Sequence, residues 1–103
     1  MHAPRLEVQE FPGRHALRIA GEISVITRPA WEDALRRLSD YGGTVRLDLS
    51  GLAFSDVAGA GALAVAALDL AAGRRVVLDR PPASLRRALE IFRPDVTALE
   101  VVK

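Results

Sequence analysis

At 103 residues the chain has the size of one ordinary domain, so a single core must serve everything it does. Half of the residues are apolar and about a quarter are charged, 14 basic against 13 acidic for a net charge of +1, a balance that excludes a disordered chain. The basic residues fall in scattered pairs (Arg36-Arg37, Arg74-Arg75, Arg86-Arg87) rather than in one patch, which argues against nucleic acid as a partner, and the lack of cysteine excludes disulfides, thiolate catalysis and cysteine-ligated metal.

In chain order, Leu6, Val8 and Phe11 alternate as one strand, Pro12-Gly13 marks a turn, and Ala16 to Gly21 continues as a second strand, predicting a hairpin. Thr27 is the expected N-cap of a first helix that tolerates Pro29 in its opening turn, carries Trp31, Ala34, Leu35 and Leu38 at helical spacing, and ends near Asp40 ahead of Gly42-Gly43. A third strand points Val45, Leu47 and Leu49 one way and Arg46 and Asp48 the other. A turn follows, then a second helix over about 57–72, closed by Gly73 in the C′ position. Arg75 to Asp79 reads as a fourth strand, Ala83 to Phe92 as a third helix stopped by Pro94, and Ala98 to Val102 as a fifth strand. The order ββαβαβαβ predicts an α/β fold: a mixed sheet of about five strands, with three to four helices packed mainly on one face through right-handed crossovers.

The segment from Thr44 to Leu63 carries the functional signal. A helix that opens on Asp56 with almost only small residues leaves unpaired N–H groups and a partial positive charge at its start, a place for an anion, a phosphate or a partner's backbone. Val57, Ala58, Gly59, Ala60 and Ala62 predict a small, flat, uncharged surface around that turn, while the same residues in a helix apolar nearly all round also suit burial against a sheet. Gly59 to Ala64 fits G-x-G-x-x-A with Asp79 20 residues on, so a nucleotide or other small ligand over Asp56 to Gly61 is the rival reading. That fingerprint expects its glycines directly after a first strand, whereas here Ser50 to Ala58 intervene. His2 and His15 have no carboxylate spacing for a metal site or a triad, and Asp69 either faces solvent or pairs with Arg74 or Arg75. Trp31 is expected to anchor the core, or an interface if it is partly exposed.

Ala20-Gly21-Glu22-Ile23, Leu47-Asp48-Leu49-Ser50-Gly51-Leu52, and Phe54-Ser55-Asp56 followed by Gly59 and Leu63 together resemble the STAS domain, the fold of bacterial anti-sigma factor antagonists and of the cytoplasmic tails of sulfate transporters. The resemblance spans nearly the whole chain and implies one domain over 1–103. It implies a site at the turn before the second helix, which in that family reads Asp-Ser-Ser-Gly or Asp-Ser-Thr-Gly and carries a hydroxyl phosphorylated by a partner kinase that is also the anti-sigma factor. Here the turn reads Asp56-Val57-Ala58-Gly59, so the position matching the phosphoacceptor is Ala58, and Ser24 stands where the family's first-helix motif has an acidic residue. Ser55 is either a substitute acceptor or an N-cap.

The expected function is therefore binding of a protein through Ser24, Thr27, Ser55, Asp56, Val57, Ala58, Gly59 and Ala60, without catalysis, cofactor or metal and without the phosphorylation switch. The resemblance implies an anti-sigma factor kinase as the first candidate partner. The ATPase of a lipid-importing ABC transporter, or a signalling assembly of STAS domains, comes second, and a weak homodimer stays open. With no signal pattern at the N-terminus and no run of the ~18 apolar residues that span a membrane, the expected location is the cytoplasm.

Overall fold

A computed structural model describes residues 3–70, 73–92 and 98–102. Its five strands lie in the order β1-β2-β3-β4-β5: β1 (Leu6–Phe11), β2 (Ala16–Ile23), β3 (Thr44–Ser55), β4 (Arg75–Asp79) and β5 (Leu99–Val102). The β1–β2 pair is the expected antiparallel hairpin and the other pairs are parallel, so α1 (Arg28–Arg36), α2 (Val57–Leu68) and α3 (Ala83–Leu89) are the crossovers of a mixed sheet. The inward residues Leu17, Ile19, Ile23, Val45, Leu47, Leu49, Val76 and Leu78 meet Trp31, Leu35, Leu38, Leu63, Leu85 and Leu89 of the helical layer in one core. The opposite sheet face carries cross-strand ion pairs, Arg18–Asp48, Arg46–Asp79 and Arg75–Glu100, that let it meet water.

The third strand is longer than its pattern suggests. Past Leu49, where the alternation stops, β3 runs on to Ser55 beside β2, but the pairing slips between Arg18 and Ala20 and again between Gly21 and Glu22. Each slip inserts an extra residue on β3 and resets which side chains face inward, so Leu52 and Ser55 continue the buried row that Val45, Leu47 and Leu49 begin. Gly21 is required there. Its φ is +115°, and a Cβ would stand 2.1 Å from the Arg5 carbonyl oxygen, the acceptor of the Glu22 N–H.

The helix ends also differ from expectation. Both α1 and α3 tighten into 3₁₀ turns, Arg37–Asp40 and Glu90–Phe92. α2 stops at Leu68 with Asp69 as its C-cap, so Gly73, although left-handed at φ +85°, is not its C′ residue. The hairpin turn closes on a left-handed His15. Arg74 does not pair with Asp69; its guanidinium donates to the Leu38, Ser39 and Tyr41 carbonyls and ties the α1 exit to the start of β4, while Arg75 takes Glu100. His2, residues 71–72 and the expected stop at Pro94 lie outside the described residues.

Candidate functional site

The β2–α1 loop and the β3–α2 junction emerge side by side at one end of the sheet, where Ile23 pairs with Ser55 and the Asp56 N–H donates to the Ile23 carbonyl at 3.0 Å. Asp56 is the N-cap of α2: its backbone is extended (φ −76°, ψ 171°) and its Oδ1 accepts the Gly59 N–H at 2.7 Å. The same carboxylate takes the Arg28 guanidinium, with Nη2 at 3.3 Å from Oδ2. A negative group thus already occupies the place at this helix start that an anion or phosphate would take.

Gly59 sits at the third residue of α2 with no room for a side chain. A Cβ would lie 2.5 Å from Ile23 Cγ2 and 2.7 Å from Ser55 Oγ. Its carbonyl accepts the indole N–H of fully buried Trp31 at 2.9 Å, which fixes the first turn of α2 against α1. Gly59 therefore serves close packing inside a helix, while a Cβ on Gly61, two residues on, would meet only the ring of Phe92.

The residues singled out from the sequence divide by exposure. Thr27, Ser55, Gly59 and Ala60 are buried; Asp56 and Ser24 are half-buried; Val57 and Ala58 are exposed. Thr27 stands at the N-cap position of α1 but caps nothing. Its hydroxyl donates to the Glu22 carbonyl at 2.8 Å and accepts the Ser24 N–H at 2.9 Å, which folds the β2–α1 loop back on itself. Ser55 is the last residue of β3 and not the cap: its Oγ donates to the Asp56 carbonyl at 3.0 Å, and its own N–H is taken by Ser84 Oγ. The buried members hold the turn in shape, and the surface they present is Val57 and Ala58.

Sequence reading singled out Val57 but passed over Val25 and Ile26 beside that turn. Val25 and Ile26 are 79% and 69% exposed, and Phe54 and Val57 are 44% and 56% exposed at the same end of the sheet. Two bulky apolar residues in succession in a loop just before a proline-started helix were the available signal. Arg28, the cation beside the site, had none, because its pairing with Asp56 spans 28 positions and exists only once the two strands are side by side. Among the described residues no group of three His, Asp or Glu side chains could hold a metal, and no helix is long and apolar enough to cross a membrane.

The fold matches known proteins. The chain superposes on the crystal structure of an anti-sigma factor antagonist from Mycobacterium paratuberculosis with a TM-score of 0.72 and 24% identity, over 95% of this chain and 86% of that one. No curated protein matches it. A family model described as "Mlab, STAS domain" matches residues 6–101, from the start of β1 into β5, and the chain belongs to the STAS domain family.

Proposed function

We propose that the domain is a non-catalytic protein-binding module that engages its partner through the first turn of α2 and the β2–α1 loop, without a phosphorylation switch. One observation carries the reading. Ala58, which the resemblance aligns with the family's phosphoacceptor, is exposed, bears only a methyl group, and is accompanied by the exposed apolar residues Val25, Ile26, Phe54 and Val57. A phosphoryl group on such a turn would bring about −1.5 to −2 charges and reset partner affinity; an alanine keeps the surface permanently in the uncharged state. The capped helix start also favours a protein over a nucleotide, since the Asp56 carboxylate already takes the Gly59 N–H and the Arg28 guanidinium that a phosphate would use.

An anti-sigma factor of the kinase type is the first candidate partner, supported by the likeness to the mycobacterial antagonist. The ATPase of a lipid-importing transporter of the kind that uses a small STAS subunit is the second, supported by membership of the STAS family. The test is affinity capture from the native cytosol with the intact domain and with Ala58→Asp, read by mass spectrometry. Asp at the second position of a helix is favourable to the dipole, so this variant keeps the fold and changes only the surface. A partner captured by the parent and lost with Ala58→Asp is the expected result, and its identity separates sigma regulation from lipid transport. Equal capture by both baits would refute the role of the turn. Ala58→Ser offered to a purified anti-sigma kinase completes the test: phosphate incorporation would place the partner in that class.

A further inference from the structure

A groove of about 790 Å³ runs between α1 and α2. Arg28, Glu32, Leu35, Arg36 and Ser39 line one wall and Ala58, Gly61, Ala62, Val65, Ala66 and Asp69 the other, both sets at the three- and four-residue steps that mark a single helical face. From Ala58 to Asp69 the α2 wall is about 16 Å long at 1.5 Å per residue, three turns of helix. Its floor is small or apolar, and Val65 projects 59% exposed. Such length, shape and lining fit a helix laid in a groove rather than a compact ligand with converging polar groups.

The charges say what kind of helix. Arg28 is neutralised by Asp56, and Arg36 belongs to a balanced cluster with Asp33, Arg37 and Glu10. Glu32 and Asp69, both exposed, form no ion pair among the described residues, and they stand on opposite walls of the groove. α1 and α2 both leave parallel strands at the same end, so Glu32 lies level with Gly61 and Ala62, about two turns short of Asp69. We infer that the groove receives a basic amphipathic helix of about three turns from a protein partner, its apolar face over Val65 and a lysine or arginine on each flank meeting Glu32 and Asp69. This surface extends beyond the turn at Ala58, and the two sites can stand or fall separately.

The experiment titrates the intact domain into a fluorescein-labelled 14-residue leucine–alanine helix carrying lysines on both flanks of its leucine face, and into its twin with glutamates at those positions. Fluorescence anisotropy gives the affinity, and amide chemical-shift mapping gives the location. The lysine peptide should bind about tenfold more tightly than the glutamate one, as two exposed ion pairs allow, with shifts confined to α1 and α2. Glu32→Lys with Asp69→Lys should reverse the preference. Val65→Lys, a good helix former at an exposed position, should abolish binding while unfolding as the parent does. Equal binding of the two peptides, no reversal, or shifts elsewhere would overturn the inference. So would sedimentation showing a dimer that Val65→Lys dissociates, which would make a second copy the occupant. Val57→Asp, in the same exposed first turn but outside the groove lining, separates the readings when tested on the same peptide: binding that survives it leaves the groove intact even if the turn's role fails.

Discussion

Two glycines two residues apart in α2 should respond to the same substitution with opposite signs. In an open helix Gly→Ala stabilises by about 1 kcal/mol. At Gly61 the new methyl would meet only the Cζ of Phe92 at 3.3 Å, the far end of a half-buried ring in the 3₁₀ turn after α3 that can give by a few tenths of an ångström. Gly61→Ala should therefore keep most of the gain, about 0.5–1 kcal/mol, and raise Tm by about 2–8 °C. At Gly59 the methyl would stand 2.5 Å from Ile23 Cγ2 and 2.7 Å from Ser55 Oγ, about 1 Å inside ordinary contact. Neither neighbour can retreat, because Ile23 is fully buried in β2 and Ser55 is held between the Asp56 carbonyl and the Ser84 hydroxyl. Overpacking of this kind costs about 3 kcal/mol at the upper end of its range, so Gly59→Ala should lose about 2 kcal/mol net and lower Tm by about 10 °C. Thermal unfolding followed by circular dichroism gives both shifts. Fluorescence of Trp31, the sole tryptophan, reports the local event, since its indole donates to Gly59. Shifts of the same sign for both variants would refute the packing argument.

Asp56→Ala removes the cap of α2 and the partner of Arg28 together and should cost about 1–2 kcal/mol in urea unfolding. Asp56→Asn, which still accepts from the Gly59 N–H, should recover most of that, and a loss equal to that of alanine would transfer the role from the cap to the ion pair. Tyr41 donates its phenol to Glu10, and this bond first, then burial, raises its pKa from 10.0 to about 12. The raised value means that the folded state holds a proton the unfolded chain gives up. The stabilisation is complete below pH 10 and is lost as the pH rises through about 12. Tyr41→Phe should flatten the fall in stability across that range, and an absorbance titration of the parent at an ordinary tyrosine midpoint would contradict the assignment.

The element order was legible in the sequence because each strand and helix carries its own period. The apolar period of β3 was legible only to Leu49, and the resemblance carried the strand to Leu52. Two bulges reset the alternation, so no local pattern marks its continuation to Ser55. The α2 site was half legible. Asp56 ahead of a run of small residues announces a cap, and Trp31 at helical spacing announces a core residue, but their meeting through Gly59 depends on α1 crossing the sheet, which no local pattern encodes. Thr27 shows the limit of capping rules. Threonine before a helix is a good N-cap by type, yet its hydroxyl is spent on the Glu22 carbonyl and the Ser24 N–H, because a tight loop with buried polar groups must be satisfied first.

The apolar character of α2 ties the structure to the binding reading. A helix covered on all sides has no reason to be polar anywhere, and α2 carries no charged residue from Val57 to Leu68. Yet only Gly59, Ala60, Leu63, Ala64 and Ala67 are buried, while Val57, Val65 and Leu68 remain more than half exposed. Polar substitution on that outer face would leave the core untouched, so folding does not account for its composition. An exposed apolar face of this kind is what the proposed partner would cover, with the capped, glycine-locked first turn at one end and the groove along one side. Because Asp56, Trp31 and Gly59 fix the helix from below, a change at Ala58 or Val65 alters what a partner meets and not how the domain folds, so binding and stability can be measured as independent quantities.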